Sequence, residues 1–85
     1  MILYRFKVKF YRLGTIEGVF LAEEKEVAGA IGREASFGDI LGKHSDVRKV
    51  LEEVDFTVLA DDPQFVGDFT RVVGSIGYNP LEYLV

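Results

Sequence analysis

Apolar and basic residues alternate along the first ten positions of the chain. The even positions from Ile2 to Phe10 are apolar, and Arg5, Lys7 and Lys9 lie between them. Successive side chains of a β-strand point to opposite faces, so the pattern predicts a half-buried strand with one basic face. A turn at Leu13-Gly14-Thr15 then leads to a second strand, Thr15 to Ala22, antiparallel to the first. Gly18 inside this strand indicates a bulge or a close backbone approach.

The middle of the chain predicts one short helix and two further strands. Acidic residues in the first turn and an apolar face favour a helix from Glu23 to Ile31, and a weak strand follows over Glu34 to Phe37. Residues 46–54 are ambiguous between a helix capped by Ser45 and a strand that turns into the next one, and we favour the helix. Alternation from Val54 to Ala60 predicts a strand.

The best helix signal begins at Asp62-Pro63, with Asp62 as the N-cap and Pro63 in the first turn. Its predicted buried stripe ends at Gly74 and consists of Phe65, Val66, Phe69, Val72 and Val73. In the tail, Asn79-Pro80-Leu81-Glu82 matches a capping box with Tyr78 and Tyr83 as its staple, and we expect this tail to cover the core or a subunit interface.

These elements predict one α+β domain over residues 1–85, an antiparallel sheet with two helices on one face in two layers. Three residues, Val19, Leu21 and Leu59, lie out of phase with the other apolar residues of their strands. That indicates a second buried face, and a partner subunit would cover it most simply. We therefore expect a homo-oligomer.

Composition and charge exclude several classes of function. The chain has no cysteine, which removes disulfides, thiolate nucleophiles and the commonest zinc sites and suits a reducing cytoplasm. No apolar run is long enough for a membrane span, and the N-terminus lacks the apolar block of a signal peptide. The net charge is −4, which argues against non-specific duplex binding. We expect a cytoplasmic protein without membrane attachment.

The most informative polar segment is Gly42-Lys43-His44-Ser45-Asp46, which holds the only histidine. Its glycine spacing does not match a nucleotide-hydrolysing phosphate loop, because Gly38 lies one residue too close to Gly42. A lysine, a histidine, a hydroxyl and nearby backbone N–H groups can still bind an anion. The candidate ligand-binding residues are Gly42, Lys43, His44 and Ser45, with Arg5 and Lys7 as a basic wall. A solvated connection is the structural alternative.

Catalysis and metal binding have weaker support in the sequence. His44 has Ser45 and Asp46 only as sequence neighbours, whereas catalytic triads are assembled from separate segments. The Asp62-Pro63 helix start explains one of the two adjacent acids, Asp61 and Asp62, without a cation. We therefore expect no catalytic residue, no metal and no cofactor.

Three runs resemble a family of small uncharacterised proteins of phages and bacteria: residues 37–47 (FGDILGKHSDV), Asp61-Asp62-Pro63 and Gly77-Tyr78-Asn79-Pro80-Leu81. Members often have a glycine near position 53, which favours a hairpin over 46–60, whereas this chain has Glu52-Glu53-Val54. Small phage proteins of this size are often inhibitors or sponges of nucleotide immune signals. The resemblance itself carries no established activity. By analogy with that class of phage proteins, and from the polar segment with its basic wall, we expect a non-enzymatic, phage-encoded protein that captures a phosphate-bearing ligand. The alternative is an inhibitor that blocks a host or defence enzyme through its charged faces.

Overall fold

The computed structural model describes residues 1–10, 14–38 and 47–85. Six strands, two α-helices and two short 3-10 helices follow one another along these residues. The strands are β1 (Ile2–Phe10), β2 (Gly14–Ala22), β3 (Glu34–Gly38), β4 (Val47–Val50), β5 (Phe56–Ala60) and β6 (Ile76–Gly77). The helices are α1 (Glu24–Ala30) and α2 (Pro63–Val72), and the 3-10 helices are Glu53–Asp55 and Pro80–Tyr83. The chain is an α+β domain, as predicted.

The main sheet has four antiparallel strands in the order β5-β1-β2-β6, and β3 pairs with β4 in a separate hairpin. The alternation of β1 is regular: Tyr4, Phe6 and Val8 are buried, whereas the three basic residues between and after them are exposed. We call the side of Tyr4 the inner face and the side of Arg5 the outer face.

The core lies on the inner face. Phe6 and Phe20 are fully buried there. The hairpin packs over them, with the Phe37 ring stacked 6.0 Å from the Phe6 ring. The tail covers the same cluster, because Tyr78 and Tyr83 both contact Phe37. The expectation that the tail folds back over the core is confirmed.

Residues 47–54 do not form the helix that we favoured for 46–54, and Asp46 lies outside the described residues. Residues 47–50 form β4, which pairs with β3, and the 3-10 helix Glu53–Asp55 follows. The four residues at helical spacing do not form one buried face: Val47 and Leu51 are buried, whereas Val50 and Val54 are exposed. Pairing with β3 satisfies the backbone of this short segment, and that partner is distant in sequence. The predicted cap, Ser45, lies outside the described residues.

The start of α2 is as predicted, but its predicted buried stripe is largely wrong. The Asp62 carboxylate accepts a hydrogen bond from the Phe65 backbone N–H at 3.1 Å, and Pro63 opens the helix. Val66 is the one residue of this stripe that is buried, whereas Phe65 is 50% exposed and Val72 is 75% exposed. The helix signal located an apolar face correctly, but most of that face is uncovered within the described residues.

The position of α2 differs from the predicted layering, which put both helices on one face of the sheet. The helix joins β5 to β6, which are the two outermost strands of the sheet. Ten residues of helix span about 15 Å, close to the width of three strand spacings of about 4.8 Å each. Leu3 is buried although it belongs to the outer face, and Met1 lines a shallow cavity together with Val66. These observations place α2 across the outer face near Leu3, while α1 covers the inner face near Tyr4.

Candidate functional site

The outer face of β1 carries a row of three cations, Arg5, Lys7 and Lys9. Regular pairing of β1 with β2 keeps them on one side of the sheet, since each lies two residues from the next. Together with residues 54, 55 and 57, which precede or begin β5, they line an open depression of about 280 Å³. We call this depression the basic cleft.

One of the three cations is already neutralised. The Arg5 guanidinium donates a hydrogen bond to the Glu17 carboxylate, with Nη2 and Oε2 3.2 Å apart. Both side chains are about half exposed, so solvent screens this pair and it adds little to stability. The pair does fix the position of the guanidinium at the edge of the basic cleft.

Lys7 and Lys9 form no ion pair with any described residue. Glu17 lies directly opposite Lys7 in the β1–β2 ladder, but its carboxylate binds Arg5 diagonally. Two ammonium groups are therefore available on the same face, and their combined charge matches that of a phosphate dianion.

Among the described residues, Asp55 is the one acid that lines the basic cleft, and its carboxylate already has partners. The residue is 7% exposed, and its carboxylate accepts a hydrogen bond from the Glu52 backbone N–H at 2.9 Å. The Lys49 ammonium lies 3.8 Å from the same carboxylate and 3.5 Å from that of Glu52. Because Lys49 is shared with Glu52, its charge offsets only one of these two carboxylates. The four cations at and beside the basic cleft, Arg5, Lys7, Lys9 and Lys49, therefore exceed the three carboxylates of Glu17, Glu52 and Asp55 by one positive charge.

The remaining wall of the basic cleft comes from β5 and the residues before it. Thr57 pairs with Arg5 across the β1–β5 ladder, and its hydroxyl makes no hydrogen bond with a described residue. Val54 is 80% exposed at the rim. A hydroxyl that can donate to a phosphate oxygen thus lies beside an apolar surface that can contact an organic group.

The predicted site residues divide into two groups. Arg5 and Lys7 lie side by side in the basic cleft. Gly42, Lys43, His44 and Ser45 lie outside the described residues, and the described residues that flank their segment, Gly38 and Val47, are partners in the β3–β4 ladder. Sequence reasoning missed Thr57 as a site residue. Alternation placed it opposite the apolar residues of β5, but only the pairing of β5 with β1 brings it to Arg5.

Residues 1–10, 14–38 and 47–85 contain no cluster of three acidic, histidine or cysteine side chains able to hold a metal ion. In the same part of the chain, neither helix has the length and apolar character needed to span a membrane. Comparisons of the chain with protein-family models, with curated proteins and with solved structures gave no match.

Proposed function

We propose that the protein is a non-enzymatic binding protein that captures a small phosphate-bearing ligand, such as a nucleotide signal, in the basic cleft. The observation that carries the proposal is the pair of lysines, Lys7 and Lys9, on one face without a carboxylate partner among the described residues. Phosphate oxygens accept charge-assisted hydrogen bonds from such ammonium groups. Thr57 supplies a further donor, and Val54 supplies apolar contact for the body of a nucleotide.

The test is a calorimetric titration of the protein with a cyclic dinucleotide, with AMP and with inorganic pyrophosphate. We expect the double variant Lys7→Gln/Lys9→Gln to weaken binding at least about tenfold, because each charge-assisted contact contributes about 1.5–3 kcal/mol and tenfold corresponds to about 1.4 kcal/mol. Lys25→Gln is the matched control, since Lys25 is an exposed lysine on α1. Added salt should weaken binding to the wild type. If the double variant and the control bind equally well, the basic cleft is not the site.

A second pair of variants tests the polar segment. Lys43→Ala/His44→Ala weakens binding if residues 42–45 contribute to the same site, as the sequence suggests. Loss of binding in this variant, with Lys7→Gln/Lys9→Gln unaffected, would move the site to that segment and leave the basic wall without a role.

The alternative proposal is an inhibitor that blocks a host or defence enzyme. The observation that favours it is the exposed surface of α2, where apolar residues such as Phe65 and Val72 lie beside the exposed acids Asp61 and Asp68. The same uncovered apolar stripe supports the proposal of a homo-oligomer. Light scattering distinguishes these proposals: a mass that is a multiple of 9.5 kDa supports the homo-oligomer. A monomer whose association with an enzyme is abolished by Phe65→Ser supports the inhibitor.

A further inference from the structure

A second cavity lies on the inner face, on the side of the sheet away from the basic cleft. It has a volume of about 240 Å³ and is bordered by α1 and by β5. Its walls are mainly apolar and include Val27 of α1 with Phe56 and Val58 of β5. We call this space the α1–β5 cavity.

The polar side chains among the described residues that line the α1–β5 cavity are one tyrosine and two glutamates, Tyr4, Glu24 and Glu53. Tyr4 lines the cavity and is 5% exposed, yet its hydroxyl makes no hydrogen bond with any described residue. Burial raises the pKa of Tyr4 above its usual value, and the nearby Glu24 raises that pKa further. A hydroxyl that stays protonated still offers its lone pairs to a donor.

Two carboxylates at this cavity, those of Glu24 and Glu53, are also unused. Neither forms an ion pair with a described residue, and neither belongs to a capping box, since those boxes use Glu23 with Glu26 and Glu52 with Asp55. Apolar walls that end in two free carboxylates and a buried hydroxyl match an aliphatic chain with a cationic end. Lysine and arginine side chains have that composition.

The same cavity lies next to an open sheet edge. β5 pairs with β1 on one side, and none of the described strands pairs with its other side. Val58 is 55% exposed and belongs both to this edge and to the cavity wall. Unpaired N–H and C=O groups on such an edge are a template for a further strand.

We propose that β5 accepts an extended peptide segment of a partner protein as an additional strand, and that a lysine or arginine side chain of this segment enters the α1–β5 cavity. A strand added about 4.8 Å from β5 places alternate side chains on the inner face beside Val58. From there an aliphatic cation reaches the carboxylates of Glu24 and Glu53. Charge complementarity favours a segment with a cationic side chain, because the opening of the α1–β5 cavity is acidic. The basic cleft lies on the other face of the sheet and would repel such a side chain.

The test uses a capped heptapeptide of alternating threonine and valine with one central lysine, and an otherwise identical peptide with norleucine in place of that lysine. Nuclear magnetic resonance titration of the full chain follows the backbone amides of β5 and α1. We expect shifts and slowed hydrogen exchange along β5, and at least tenfold weaker binding of the norleucine peptide. The double variant Glu24→Gln/Glu53→Gln should lose the preference for lysine, whereas Glu82→Gln, at an exposed acid outside this cavity, should keep it.

Three results would overturn the proposal. Equal binding of the two peptides would show that the cavity does not recognise the cation. Binding of n-butylamine as tightly as the lysine peptide, without exchange protection along β5, would make this a small-amine site. Protection of β5 in the free protein, together with a dimeric mass, would show that a second copy already covers the edge. The basic cleft takes no part in any of these results, so the proposed function stands or fails separately.

Discussion

The substitution Gly18→Ala should be strongly destabilising, because the tail of the chain passes directly over this residue. Gly18 pairs with Gly77 of β6. A Cβ atom added to Gly18 would collide with the backbone carbonyl oxygen and nitrogen of Tyr78 and would lie 2.7 Å from its carbonyl carbon. These are backbone atoms, so no change of rotamer relieves the clash, and residues 76–78 must move away from β2.

The expected loss follows from the contacts that this movement breaks. The Tyr78 N–H donates to the Glu17 carbonyl oxygen at 3.2 Å, and the Tyr78 ring packs edge-on against Phe37 with centroids 6.0 Å apart. A net hydrogen bond contributes about 1 kcal/mol and an aromatic pair about 0.5–1.5 kcal/mol. With partial exposure of the Tyr78 ring added, we expect the free energy of unfolding to fall by about 2–4 kcal/mol. For a chain of this length, that lowers the melting temperature by roughly 10 °C or more.

A glycine in α1 provides the matched control. A Cβ atom at Gly29 meets no other atom within 4 Å, and the residue lies inside a helix. Gly29→Ala should therefore raise the free energy of unfolding by about 1 kcal/mol through helix propensity alone. Equilibrium urea unfolding followed by circular dichroism measures both variants. If the free energy of unfolding of Gly18→Ala remained within about 0.5 kcal/mol of that of the wild type, the close packing of residues 76–78 against β2 would be refuted.

Three further predictions concern a cap, a buried side chain and a titration. Asp62→Ala should lower the free energy of unfolding by about 1 kcal/mol, because the hydrogen bond that caps α2 at the Phe65 N–H is lost. Asp61→Ala is the control, and equal stability of the two variants in urea would contradict this prediction. Val66→Ala should lower the free energy of unfolding by about 2 kcal/mol, and Val72→Ala should lower it much less because Val72 is exposed. If calorimetric melting showed Val72→Ala to be the less stable variant, our assignment of the buried face of α2 would be wrong. The raised pKa of Tyr4 contributes stability that is complete below pH 10.0 and is lost as the pH rises through the folded-state pKa. The free energy of unfolding of Tyr4→Phe should therefore fall less than that of the wild type when the pH is raised above 10.0. Identical pH profiles of the two proteins would contradict this prediction.

Local sequence signals located the elements whose structure depends on neighbouring residues. The alternation of β1 and the Asp62-Pro63 start of α2 are examples, because a two-residue period and an N-cap are local devices. Residues 46–54 could not be assigned in this way. The spacing of Val47, Val50, Leu51 and Val54 fits a helix, and it was pairing with β3 that made the segment from Val47 to Val50 a strand. That pairing joins residues separated by the whole 39–46 segment.

The candidate site was predictable to a similar extent. Alternation alone put Arg5 and Lys7 on one face. Alternation could not show that Glu17 would pair with Arg5, or that β5 would bring Thr57 into the basic cleft. Both contacts depend on which strands are neighbours in the sheet. The apolar stripe of α2 illustrates the same limit, since amphipathicity predicts that a face is apolar and not what covers it.

The two edges of the main sheet differ in a way that bears on stoichiometry. β6 is only two residues long and includes Gly77 at a φ of +70°, so an added strand could form few backbone hydrogen bonds with it. β5, in contrast, is five residues long. A sheet with two long open edges can extend at both ends and form filaments. If a strand adds to β5 as proposed, the far end of the main sheet presents only the two-residue β6 as its outermost strand, so we expect one added strand per main sheet and not a growing fibre.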